Sequence, residues 1–181
     1  MNLINQFLIA TPDMADERFK NAVILICDHN EDGAMGLNIN QPSDVTFEDI
    51  LSSLSIENLS HQKFPKVHEG GPVNSECGFI LHKNQSMYTS SISVSDQLAL
   101  TTSKDVIRAI ANKMVSEQWL MALGCATWTA GQLEQEIADN AWLTCPADER
   151  IIFNQSDNKW ASALDILGIK AHQLTSEVGH A

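Results

Sequence analysis

Positive charge is what this chain has least of. Its 181 residues carry 11 Lys and Arg against 23 Asp and Glu, a net charge of −12 with the histidines neutral. Such a surface repels phosphate, which disfavours direct contact with nucleic acid and binding to anionic membranes. The basic residues are also scattered. Their densest set, Lys104, Arg108 and Lys113, falls on one predicted helix with Asp105 among them, the pattern of a solvated face. No helix-turn-helix pattern stands out, so direct nucleic-acid binding ranks last among the functions considered.

Other absences narrow the field further. The four cysteines (Cys27, Cys77, Cys125, Cys145) lie far apart with no C-x-x-C, and read as reduced, buried small hydrophobes. The purely apolar run Ala22 to Cys27 is far too short to span a bilayer. The N-terminal residues lack a basic region and a sustained apolar core, so no signal peptide is expected, and the chain reads as soluble and cytoplasmic. No Pro/Gly/Ser-rich linker, repeat or low-complexity tract marks a boundary, so residues 1–181 are expected to form one domain. The G-x-S-x-G elbow, the G-x-G-x-x-G fingerprint and the Walker pattern are all missing, and no cofactor is expected.

What is present suggests an α+β fold. Phe7–Ala10 and Ala22–Cys27 read as buried strands, the second covered on both faces because it is continuously apolar. Met35 to Asn40 alternates with period two, predicting a hairpin whose connection contains Asp32-Gly33. Thr46 and Asp49 have capping-box spacing ahead of a helix with Phe47, Ile50, Leu51 and Leu54 on one stripe. Short strands at 66–69, 78–82, 87–92 and 98–101 suggest an antiparallel meander. A helix near Thr102-Ser103 is expected to turn Val106, Ile107, Ile110 and Met114 inward. Trp119–Ala126 reads as a strand, and Thr129 with Gln132 as a second capping box. A strand over 141–145 and a helix from about Asp157, with Trp160, Leu164 and Leu167 on one side and Gly168 at its end, complete the chain. The expectation is a largely antiparallel sheet, curled toward a barrel.

Two polar stretches set in apolar surroundings are the candidate functional segments: 27–36 and 128–137. Asp28-x-Asn30-x-Asp32-Gly33 matches the first half of a calcium loop, but position twelve is Ile39 where a glutamate is needed and the flanks are strands, so an EF-hand is rejected. Asp28, Asn30 and Asp32 remain weak candidates for a looser cation site, against the simpler reading of polar residues at a hairpin tip. Cys27 and His29 would share a face of a continuing strand, a pairing suited to a thiolate or a zinc shell, although a buried thiol beside a turn histidine is the plainer picture. Gly70-Gly71 could expose backbone N–H groups to an anion or let two backbones approach closely, the second being preferred. Gln132 and Glu136 lie one helical turn apart, Asn140 follows if that helix continues, and Trp128 and Trp142 supply flat walls. The candidate binding surface is thus His29, Asn30, Glu31, Gly70, Gly71, Trp128, Gln132, Glu136 and Asn140.

The runs Cys27 to Leu37, Gly70-Gly71-Pro72-Val73, Leu100 to Val106, Ala122-Leu123-Gly124, Gly131 to Ile137 and Asn140-Ala141-Trp142-Leu143 resemble the AlgH/YqgE family across nearly the whole chain. The resemblance implies an α+β fold with a bifurcated sheet curled into a pseudo-barrel and flanking helices. It implies little about activity: members are mostly described as uncharacterised, some as transcriptional regulators through a link to alginate production, and no catalytic residues carry over. The sequence departs from the family's pattern near Cys125, Thr127 and Thr129, where a role for bare backbone beside Trp128 gives way to a capping hydroxyl. The leading expectation is a binding or regulatory module that acts through an unknown protein or small-molecule partner, any effect on transcription being indirect. The alternative is a metal-assisted hydrolase using Asp28, His29, Asp32 or Glu136, which requires those groups to converge.

Overall fold

Both faces of the central strands are apolar, and the computed structural model, which describes residues 1–59, 61–84, 88–116 and 118–175, covers both. In chain order the elements are β1 (Gln6–Ala10), a 3-10 turn (Glu17–Phe19), β2 (Val23–Asn30), β3 (Gly33–Asn38), α1 (Phe47–Ser53), β4 (His68–Glu69), β5 (Val73–Lys83), β6 (Ser91–Ser93), β7 (Leu98–Thr101) and α2 (Lys104–Ala111). They continue through β8 (Trp119–Thr129), α3 (Gln132–Ala138), β9 (Trp142–Pro146), α4 (Glu149–Ile152), α5 (Lys159–Ile166) and α6 (Ala171–Thr175). The strands form one sheet in the order β6-β7-β5-β8-β3-β2-β1-β9.

Strand β8 is where the sheet divides. Its first part pairs antiparallel with β5 on one edge and parallel with β4 on the other, while Ala126–Thr129 pair with β3. Alternation along the strands then fills three apolar clusters. Phe7, Ile9, Val23, Leu25 and Leu37 from one wing meet Phe79, Leu81, Leu98, Leu100 and Leu120 from the other, so the two wings curl around a shared interior closed by Ala163 and Leu164 of α5. Leu8, Ile24, Ile26 and Ala34 point to the opposite face, beneath Leu133 of α3. Ile80, Trp119 and Met121 turn outward against Phe47 and Leu51 of α1 and Val106, Ile107 and Ile110 of α2. The architecture is an α+β pseudo-barrel with a bifurcated, mostly antiparallel sheet.

Several local expectations change. The first hairpin strand runs on to Asn30, so only Glu31 and Asp32 lie between the paired residues Asn30 and Gly33. The region expected to be a meander has β7 between β5 and the edge strand β6, and β4 pairs parallel. Met114 lies beyond the end of α2 and is 74 % exposed, and Leu167 is the cap residue ending α5, on the surface. Strand β8 extends to Thr129, three residues further than its apolar run suggests, because β3 offers it a partner there. Met87, the expected start of one strand, lies outside the described residues.

Candidate functional site

A bulge decides where His29 goes. β2 and β3 are in register at Ile26–Gly36 and again at Asp28–Met35, so Cys27 is an extra residue with no partner. One inserted residue moves everything after it to the other face. Cys27 therefore stays in the barrel interior while His29, paired with Ala34, joins the α3 face. The expected Cys27–His29 face does not exist. Burial, with Cys125 and Asp28 adding to it, pushes the Cys27 thiol far above the ordinary thiol range, which suits a packed hydrophobe and not a nucleophile.

His29 instead joins two elements. Its Nδ1 accepts from the Leu3 N–H at 3.1 Å, so the proton of the neutral ring sits on Nε2, which donates to Glu134 Oε1 at 2.8 Å. A backbone hydrogen bond at Glu134 itself, followed by His29, holds the Glu134 carboxyl below its usual range. Beyond this contact the hairpin tip is self-contained: Asn30 Oδ1 accepts from the Asp32 N–H at 2.8 Å, and Glu31 is exposed in the turn. Asp28, Asn30 and Asp32 line a shallow depression of about 200 Å³. Among the described residues no three His, Cys, Asp or Glu side chains converge as a metal cluster would.

Helix α3 carries the second polar stretch. Its N-cap is Gly131 in a left-handed conformation (φ 74°), not Thr129. The Gln132 side chain reaches back, its Oε1 accepting from the Thr129 N–H at 3.0 Å and hydroxyl at 3.3 Å, while its Nε2 donates to Glu136 Oε1 at 2.9 Å. The helix stops at Ala138, and Asn140 (φ 60°) is a left-handed residue past its end, so Asn140 does not extend the Gln132–Glu136 flank. Gln132 and Glu136 are one turn apart, whereas Glu134, two residues on from Gln132, faces the other side of the helix. His29 and Glu134 therefore lie across α3 from the Gln132–Glu136 flank, while Trp128 lines both the depression at the hairpin tip and the cavity on that flank.

The Glu136 carboxylate is the centre of the other flank. Its Oε2 accepts from the indole nitrogens of both Trp128, at 2.9 Å, and Trp142, at 2.8 Å. The two rings lie 6.3 Å apart and nearly perpendicular, and Phe19 packs edge-on to Trp142 at 5.7 Å. Trp128 is on β8 and Trp142 on β9, with β3, β2 and β1 between them. Four steps across a flat sheet would separate those strands by about 19 Å. The sheet's twist instead folds diagonally opposed corners together over one face, and Glu136 clasps them.

That convergence borders a half-open cavity of about 320 Å³, lined by the Trp128, Trp142, Gln132 and Glu136 group and by Asp16, Arg18, Phe19 and Val73. A second cavity of about 220 Å³ adjoins it, sharing Arg18, Phe19 and Pro72 and adding Asn38, Gln41, Glu69 and Gly71. Arg18 is held by Asp16, which caps the 3-10 turn and takes Nε and Nη2 at 3.0 and 2.7 Å. Gly70 and Gly71 serve close approach: a Cβ on Gly71 would lie 2.2 Å from the Cys125 carbonyl carbon, and one on Gly70 2.2 Å from Gly124 O.

Of the expected site residues, the structure thus gathers Trp128, Gln132 and Glu136 at the larger cavity and Gly71 at the smaller. Gly70 stands behind them, and His29, Asn30, Glu31 and Asn140 stand apart. Sequence reading missed Arg18, Phe19 and Asn38. The Asp16-x-Arg18 spacing, an acid that can cap its own turn and grip an arginine two residues on, was the available signal for the first. Asn38 looked like the polar side of an alternating strand, but it is 3 % exposed.

Residues 7–172 match the model of the AlgH-like family. The chain is 47 % identical to a UPF0301 protein of Vibrio cholerae over an alignment 187 positions long that covers all of both, and 47 % identical to one of Paraburkholderia phytofirmans, covering all of this chain and 96 % of that one. The solution structure of the AlgH protein from Pseudomonas aeruginosa superposes with a TM-score of 0.80 at 42 % identity, over 99 % of this chain and 96 % of that one. A crystal structure from Corynebacterium diphtheriae, 21 % identical, shares the fold with a TM-score of 0.70 over 92 % and 87 % of the two chains.

Proposed function

The chain belongs to the AlgH-like family, and from its site we propose that it is a binding or regulatory module that captures a small molecule or a partner's side chain in the tryptophan-walled cavity, without chemistry on it. One observation carries this reading: the Glu136 carboxylate is fixed by three neutral donors between two near-perpendicular indoles at a cavity wall. Concave, aromatic-walled and provided with a few oriented polar groups, the half-open cavity has the character of a ligand site. A general acid or base must exchange a proton with its substrate, and catalytic carboxylates work with a second titratable group in reach. Glu136 is bonded by the two indoles on Oε2 and by Gln132 on Oε1, and none of these partners is a group that could relay a proton or form a catalytic pair with it.

The hydrolase reading, with Asp28, His29, Asp32 or Glu136 converging on a metal, is less supported: His29 is engaged by Leu3 and Glu134, and among the described residues no three His, Cys, Asp or Glu side chains cluster as metal ligands would. A role in transcription, on this proposal, passes through the captured molecule, because a net charge of −12 opposes operator binding. The test is a screen of small molecules and partner proteins by melting temperature against wild type and Glu136→Gln. The expected result is a hit that raises the wild-type melting temperature by several degrees and loses that effect in the variant. Hits indifferent to Glu136, or a hit consumed by the protein, would count against the proposal.

A further inference from the structure

The paired cavities ask for opposite things at their two ends. A carboxylate offers about four acceptor sites, and Glu136 has three filled, all by neutral donors. One site on Oε1 stays open, and none of the ion pairs among the described residues includes Glu136. A half-buried carboxylate framed by Trp128 and Trp142 suits a cation, which aromatic rings also attract; the Phe19 ring already has the Arg18 guanidinium over it, 5.8 Å from its centre.

At the other end Asn38 is 97 % buried by its 3 % exposure. Its Oδ1 accepts from the Asn40 N–H at 3.2 Å and its backbone N–H donates to Gly70 O at 2.8 Å. The side-chain amide nitrogen has no partner among the described residues, and the side chain lines the smaller cavity. An amide N–H that opens on a cavity from a side chain otherwise buried offers a donor to an oxygen acceptor placed there. Glu69 lines the same cavity, with the Ser43 hydroxyl on its carboxylate, and Arg18, the cation of that cavity, is already paired with Asp16, so the acceptor that fits is a neutral carbonyl and not a second carboxylate. The two cavities share Arg18, whose charge Asp16 balances, with Phe19 and Pro72, and Val73 continues that wall in the larger one, a surface for an aliphatic stem.

We infer that the ligand of this site is an arginine or lysine residue within a peptide chain, its side-chain cation on Glu136 between the indoles and a backbone carbonyl on the Asn38 amide. The inference rests on the binding reading above and gives that ligand a chemistry. The protein's negative field draws such a peptide in.

The experiment titrates Nα-acetyl-arginine methylamide, its citrulline counterpart and free arginine into 15N-labelled protein, following the indole N–H resonances of Trp128 and Trp142. The capped arginine should shift both resonances saturably. Citrulline, which has the same length and no charge, should bind at least tenfold more weakly, as should free arginine, whose carboxylate meets Glu69. Glu136→Gln should raise the Kd for capped arginine at least tenfold, and Asn38→Ala should raise it severalfold. The citrulline comparison needs only wild-type protein, so it stands even where a variant folds poorly. Equal binding of citrulline, equal binding of free arginine, or indifference to Glu136→Gln would overturn the inference. If another class of compound moves these resonances through Glu136 while capped arginine does not, this assignment falls and the binding reading survives; if every compound and partner leaves them still, both fall.

Discussion

Lys159, 3 % exposed at the start of α5, donates its ammonium to the carbonyls of Ile39 and Ile152 at 2.9 and 2.8 Å, and no carboxylate pairs with it among the described residues. Burial lowers its pKa to about 8, and a neutral amine still has the two N–H bonds these carbonyls need. His68, with its Nδ1 buried and unpartnered among the described residues, is pushed down to about 4, first by burial and then by Lys159. Both groups bind protons less readily folded than unfolded, so stability must rise with pH through each window. It should fall as pH drops from 6.5 toward 4, through His68, and rise from about 8 to 10.5, through Lys159. Each window is worth on the order of 3 kcal/mol at most, and urea unfolding across pH measures it. The upper rise should vanish in Lys159→Met; an unchanged upper limb would show that Lys159 is not its source.

At the scale of elements, the His29 bridge ties the N-terminal segment to the α3 flank. His29→Ala should expose the Leu3 amide to rapid hydrogen exchange, whereas Glu134→Ala, which leaves Nδ1 in place to accept, should leave Leu3 protected. Equal loss in both variants would mean that the ring is positioned only through Glu134. How far the sequence reveals such elements depends on whether their cause is local. The α1 start was legible because Thr46 and Asp49 satisfy each other's backbone within four residues, as the reciprocal bonds at 2.9 and 3.1 Å show. The α3 start was misread because Thr129 and Gln132 have the same spacing, yet Gly131 takes the left-handed turn and the Gln132 side chain does the reaching. The Cys27 bulge left no trace in an apolar run, since its cause is register with a different strand. Trp128, Gln132 and Glu136 were visible as residue types; that a carboxylate would hold two distant tryptophans required the sheet's twist.

For the whole molecule, the fork at β8 depends on backbones touching. Gly124 is left-handed (φ 72°), and a Cβ there would lie 2.4 Å from Gly71 O. Gly124→Ala combines backbone strain with a clash that neither main chain can relieve. It should cost about 3 kcal/mol or more in urea unfolding. Because Pro72 and Val73 follow directly into the cavity walls, Gly124→Ala should also disturb the indole resonances of Trp128 and Trp142. A stable variant with unmoved indoles would mean that the fork and the cavities are independent.

The walls of the larger cavity come from positions as far apart as Met14 and Trp142, drawn from the 3-10 turn, β5, β8, α3 and β9. No fragment of the polypeptide, and no half-assembled intermediate, owns enough of them to hold a guest. On the proposed binding reading, occupancy is therefore a certificate of complete assembly: a ligand held there would recognise only finished molecules and, by mass action, keep them finished.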